Sequence, residues 1–122
     1  MIITGTRHGS PYVDELLESW FKYMEPDITA VLVGCAPGVD TQAEKMARRL
    51  GLNVERYPAD WSRGKRGGPE RNTRMVATCG PGDVCIAFPD TESRGTYDCA
   101  DKARDKGLVV LFSPIYDPKG QK

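Results

Sequence analysis

Apolar residues gather in five short runs, at residues 1–4, 28–33, 52–57, 83–88 and 108–112, each bounded by polar or glycine-containing stretches. Runs of this length between turn signals predict strands buried on both faces. Between them the apolar period changes. Val13, Leu16, Leu17, Trp20, Phe21 and Met24 recur at i, i+3, i+4, i+7, i+8 and i+11, one stripe that predicts a helix over 11–27. Val39, Ala43, Met46, Ala47 and Leu50 make a second stripe, closed by Gly51 at a helix C-terminus. Pro69 suits the first position of a third helix running to Cys79, because a proline there loses no helical hydrogen bond. A fourth helix is expected over 96–106, stopped by Gly107. A helix in every crossover predicts an α/β fold with about five parallel strands covered by helices on both faces.

In such sheets ligands bind beyond the carboxyl ends of the strands, near the point where strand order reverses. The loops expected there read TGTRHGSP after the first strand, GCAPGVD after the second and PDTESRGT after the fourth. Each carries glycine where backbone turns tightly or approaches a ligand. The last passes through Gly95 and Thr96 as a helix begins, and the free N–H groups of a helix start suit an anion such as phosphate. None of the loops matches GxGxxG or GxxxxGK[ST], which excludes the dinucleotide and nucleoside-triphosphatase fingerprints.

Length and charge narrow the picture. The 122 residues suffice for one domain, 1–122, with 113–122 expected as a C-terminal tail. Seventeen basic residues balance seventeen acidic ones, so net charge favours neither nucleic acid nor a membrane as partner. The local balance is uneven. Asp14, Glu15, Glu18, Glu25 and Asp27 give the first helix an acidic face, whereas Arg63, Lys65, Arg66, Arg71 and Arg74 make 61–75 the most basic segment. Cys35, Cys79, Cys85 and Cys99 show no CxxC spacing and one histidine accompanies them, so no metal site or disulfide framework is expected, and no cofactor. The chain opens on a strand pattern without a signal peptide and holds no membrane-length apolar run, consistent with a cytoplasmic location.

The segments TGTR, GCAPGVDTQAEKMA, YPADW, GGPERNTRM and AFPDTESRGTYD together resemble the YspA-like branch of the SLOG superfamily, over residues 2–112. That resemblance implies a Rossmann-like, doubly wound domain that binds a nucleotide or nucleotide-derived ligand, as in LOG phosphoribohydrolases and the DNA-processing DprA proteins. It also implies a homodimer or larger assembly, an expectation that the apolar-rich first helix with Trp20 and Phe21 supports. Laid onto the LOG pattern, Arg71 and Asp98 take the catalytic arginine and carboxylate positions for cleavage of an N-glycosidic bond. Asn72 replaces a lysine, and PDT with two further residues replaces the usual PGG before Gly95-Thr96, which implies a cradle of different shape. Aspartate in place of glutamate shortens the carboxylate's reach by about 1.5 Å. Binding without catalysis and DprA-like single-stranded DNA binding are the alternatives, the latter disfavoured by the zero net charge.

The candidate ligand-binding set is therefore Gly5, Thr6 and Arg7 from the first loop, and Gly34, Cys35, Gly38 and Asp40 from the second. Trp61, Asn72 and Arg74 come from the basic segment, and Ser93, Arg94, Gly95 and Thr96 from the last loop. Arg7 either pairs with phosphate or bonds a neighbouring carboxylate. Asp40 either holds a ribose hydroxyl or answers the helix dipole alone. Trp61 stacks on a base or serves as a structural lid, and Cys35 is reactive only if its thiolate is stabilised.

Overall fold

A computed structural model describes residues 1–113 and 115, so the expected tail at 113–122 lies outside them except for Ser113 and Ile115. The chain alternates strand and helix: β1 (Ile2–Gly5), α1 (Pro11–Met24), β2 (Val31–Val33), α2 (Val39–Arg49), β3 (Val54–Arg56), α3 (Gly67–Ala77), β4 (Val84–Phe88), α4 (Arg94–Asp105) and β5 (Val109–Phe112). Short 3-10 turns cover Glu25–Asp27 and Trp61–Arg66. All strand pairs are parallel, in the order β3-β2-β1-β4-β5. The doubly wound α/β architecture expected from the pattern is the one observed.

Strand alternation divides the core. Ile3, Val31, Val33, Ile86 and Phe88 face α1 and α2, where Val13, Leu17, Phe21, Val39 and Ala43 meet them. Ile2, Leu32 and Cys85 face the opposite way, against Met75, Val76, Cys99 and Ala103 of α3 and α4. Phe21 is fully buried and Trp20 packs against the core, so the apolar stripe of α1 lies inside the domain rather than on a surface available for pairing.

Several boundaries differ from expectation. Pro26 cannot donate the next helical hydrogen bond, so α1 ends at Met24 and a 3-10 turn follows. The helix α3 begins at Gly67, making Pro69 its third residue; proline is tolerated there because first-turn amides have no intrahelical acceptor. The helix α4 begins at Arg94, so Gly95 lies inside its first turn without the positive φ a turn glycine would show. Gly51 and Gly107 do close α2 and α4 in the left-handed conformation, with φ of 77° and 95°.

Candidate functional site

Strand order reverses between β1 and β4, and a cleft of about 450 Å³ opens at their carboxyl ends. It is lined by Thr4, Gly5, Thr6 and Arg7 from β1 and its loop, Ala36 and Asp40 from the α2 entrance, and Glu92 to Thr96 with Asp98 from the α4 entrance. Trp61, Lys65, Gly68, Pro69 and Arg71 close the remaining side.

The α4 entrance is held open by a local exchange of hydrogen bonds. Ser93 occupies the N-cap, where a serine normally accepts from a first-turn amide, but its side chain makes no capping bond. Its Oγ donates to Asp90 Oδ1 at 2.7 Å and accepts from the Asp90 amide at 2.9 Å. Asp90 also accepts from the Thr6 hydroxyl and the Glu92 amide. These donors, Thr6 first, hold its carboxyl down at about 2. The loop that differs from the LOG pattern is therefore pinned to β1 through Asp90. The amides of Gly95 and Thr96 are left without an acceptor among the described residues.

Cationic groups share the cleft with those amides. Arg7, Lys65 and Arg94 line the cleft, and none forms an ion pair with another described residue. The Arg7 guanidinium lies 5.9 Å from the centre of the Trp61 ring, a cation–π spacing, and the ring itself is half exposed. Asp60 accepts from Ser62 and starts the turn carrying Trp61, which fixes the indole over the cleft's rim.

Deeper in the cleft the charges are buried. Arg71 donates from Nη1 to the Gly34 carbonyl and from Nε to Asn72 Oδ1 at 2.8 Å. Asn72 donates in turn to the Gly95 carbonyl at 3.1 Å and to Asp98 Oδ2 at 3.0 Å. That same Asp98 oxygen accepts from Lys102 Nζ at 2.9 Å. Asp40 is buried beside Arg71, and desolvation pushes its carboxyl up to about 6 against the opposing hydrogen bond from Ala36 and the charges of Arg71 and Arg7.

Of the residues expected in the site, Gly5, Thr6, Arg7, Asp40, Trp61, Arg71, Ser93, Arg94, Gly95, Thr96 and Asp98 do come together around this one cleft. Others stand outside it. Arg74 points away and donates to the Pro58 carbonyl. Gly34 and Cys35 line a neighbouring hollow with Arg56 and Pro58, and Cys35 adopts a positive φ of 65°. Gly38 serves packing, since a Cβ there would enter the Arg7 carbonyl. Asn72 acts behind the wall, by bridging Arg71 to Asp98. Sequence reasoning passed over Lys65, Glu92 and Asp90; the charge of Lys65 in the basic segment was visible, but its place over the cleft was not.

Chemically, the cleft offers amide donors, cations without ion-pair partners among the described residues, an aromatic face at its rim and a buried carboxylate. The fold and cleft thus define a Rossmann-like α/β domain with an open cleft at its topological switch point. DNA processing protein A (DprA) from Streptococcus pneumoniae has a similar fold, with a TM-score of 0.72 and 17% identity over 91% of this chain; the chain spans about half, 49%, of that structure. No family model matches the chain. The Gene 61 protein of Mycobacterium phage D29 is 40% identical over 87 residues, covering 66% of this chain and 68% of the phage protein. The chain belongs to the family of that Gene 61 protein. Among the described residues no helix is long and apolar enough to cross a membrane.

Proposed function

We propose that the chain is a single SLOG-type domain of the YspA-like branch that binds a nucleotide or nucleotide-derived ligand in this cleft. The phosphate rests on the Gly95 and Thr96 amides between Arg7, Lys65 and Arg94, and the base lies toward Trp61. The observation that carries this reading is the uncapped start of α4. Its N-cap serine is engaged by Asp90 while three cations without ion-pair partners among the described residues line the same cleft.

Binding without hydrolysis is the form the geometry supports better. Asp98, the carboxylate expected to serve N-glycosidic cleavage, is already paired with Lys102 and held by Asn72. A carboxylate neutralised in this way is poorly suited to stabilise an oxocarbenium-like centre. The second reading is single-stranded nucleic acid binding. It is favoured by the fold shared with a protein named for DNA processing and by the basic segment carrying Lys65 and Arg66.

Two measurements on the purified protein separate these readings. Mass spectrometry of small molecules released on denaturation should show a phosphorylated nucleoside, whereas free base with ribose phosphate after incubation would indicate hydrolysis. In thermal unfolding, nucleoside phosphates should raise the midpoint and the matching nucleosides far less, with about 2.7 kcal/mol of stabilisation at a hundredfold excess over Kd. A midpoint raised by a short single-stranded oligonucleotide and unmoved by nucleoside phosphates would replace the nucleotide reading with the nucleic-acid one.

A further inference from the structure

The cleft contains a buried acceptor that no described group of the protein satisfies. Asp40 is only 5% exposed, lies in the first turn of α2 and lines the cleft. Its Oδ2 accepts from the Ala36 amide at 3.2 Å, but its Oδ1 has no hydrogen-bond partner among the described residues. Arg71 stands beside it yet directs Nη1 to the Gly34 carbonyl and Nε to Asn72. Gly34 makes the arrangement fit, because a Cβ there would lie 3.0 Å from Asp40 Oδ2 and overlap the Arg71 guanidinium. Leaving a buried carboxylate oxygen without a donor is expensive, and such an atom calls for an explanation beyond packing.

The chemistry of the missing partner follows from the acceptor. An ionised carboxylate only accepts hydrogen bonds and repels anions, so phosphate is not the partner of Asp40. A neutral donor is. A sugar hydroxyl meets the requirement and is joined covalently to the phosphate that the start of α4 would hold. We infer that Asp40 reads the sugar of the bound nucleotide, accepting a hydrogen bond from a ribose hydroxyl, so that the cleft selects ribonucleotides over their deoxy counterparts. This rests on the nucleotide reading above and narrows it to a substrate class. Nucleotides within a DNA strand carry no free sugar hydroxyl, so the same oxygen also discriminates against single-stranded DNA.

The test is calorimetric titration of the folded wild-type protein with one nucleoside monophosphate, its 2′-deoxy form and its 3′-deoxy form, repeated on Asp40→Asn. A hydrogen bond to a charged, buried partner predicts that at least one deoxy form binds the wild type roughly 10-fold to 100-fold more weakly. In Asp40→Asn that gap should shrink to a few-fold, because the remaining amide oxygen is a neutral acceptor. Should the variant not fold, the wild-type comparison alone decides. Equal affinity for all three sugars would overturn this inference while leaving the nucleotide reading intact, and would point to a donor on the base instead. Absence of binding by any of the three would overturn both.

Discussion

Two helices of this domain start at a serine, and the two serines behave in opposite ways. Ser10 caps α1: its Oγ accepts from the Val13 amide at 3.3 Å, with Pro11 following at the first helical position. Ser93 stands at the same position of α4 but gives its hydroxyl to Asp90, leaving the Gly95 and Thr96 amides open beside Arg7, Lys65 and Arg94. One helix start is closed for stability; the other is kept open at a point where the sheet's topology places ligands. The glycines differ in parallel. Gly38, at the start of α2, has a φ of 80° and no room for a side chain, whereas Gly95 is helical and a Cβ there would meet nothing within 4 Å. Protein packing explains the first glycine and not the second.

Substitutions can break this contrast, beginning with the largest effect. Gly38→Ala forces a positive φ on a side-chain-bearing residue and drives a methyl into the Arg7 backbone, so it should cost about 3–5 kcal/mol in denaturant unfolding. A loss below 1 kcal/mol would show that the α2 entrance is less constrained than its geometry indicates.

Asp40→Asn comes next and acts through pH. The Asp40 carboxyl is raised from an ordinary 3.8 to about 6 by burial, so its ionised form destabilises the native state. Its favourable contribution is complete below about pH 4 and is lost as pH rises through 6. Relative to wild type, the Asn variant should therefore gain about 2–3 kcal/mol between pH 4 and pH 8. A stability difference independent of pH would remove the case for a buried, poorly solvated carboxylate. Asp90 has the opposite sign: its carboxyl is held down at about 2, so its contribution is present above the usual carboxylate range and is lost as pH falls toward 2.

The smallest effects sharpen the comparison of the two serine starts. Ser10→Ala removes a working cap and should cost about 1 kcal/mol without changing nucleotide affinity. Gly95→Ala should leave stability unchanged or raise it by up to about 1 kcal/mol, since a helical site with open space accepts a methyl. Chemical denaturation of both variants, side by side, gives the two values.

The order of strands and helices was legible because period and punctuation are local properties: the stripe from Val13 to Met24 and the glycines at 51 and 107 act over a few residues. What depended on distant partners was not legible. Asp90 reads as a turn residue until β1 brings the Thr6 hydroxyl to it from 84 positions away. Arg74 shares the basic segment and nearly the same helix face with Arg71, but it sits almost one turn further along α3, where the Pro58 carbonyl takes its guanidinium. Lys65 lies in a 3-10 turn whose path over the cleft is set by packing against α3, which no periodicity announces. Phe21 of the apolar first helix lies in the core and Trp20 packs against it partly buried, a division that periodicity alone does not reveal.

The central claim is that the open start of α4 holds phosphate. It is tested most directly by measuring the Kd of one nucleoside monophosphate and of its unphosphorylated nucleoside for wild type and Gly95→Val, with the thermal midpoint of each protein alone as a control for folding. A Cβ at Gly95 meets no heavy atom within 4 Å, so a valine there should leave the fold in place, while its γ-methyls obstruct backbone approach to the first-turn amides. The expected result is phosphate-dependent binding by wild type that is lost in Gly95→Val at a nearly unchanged midpoint. Equal affinity of the folded variant and the wild type for the monophosphate would contradict it.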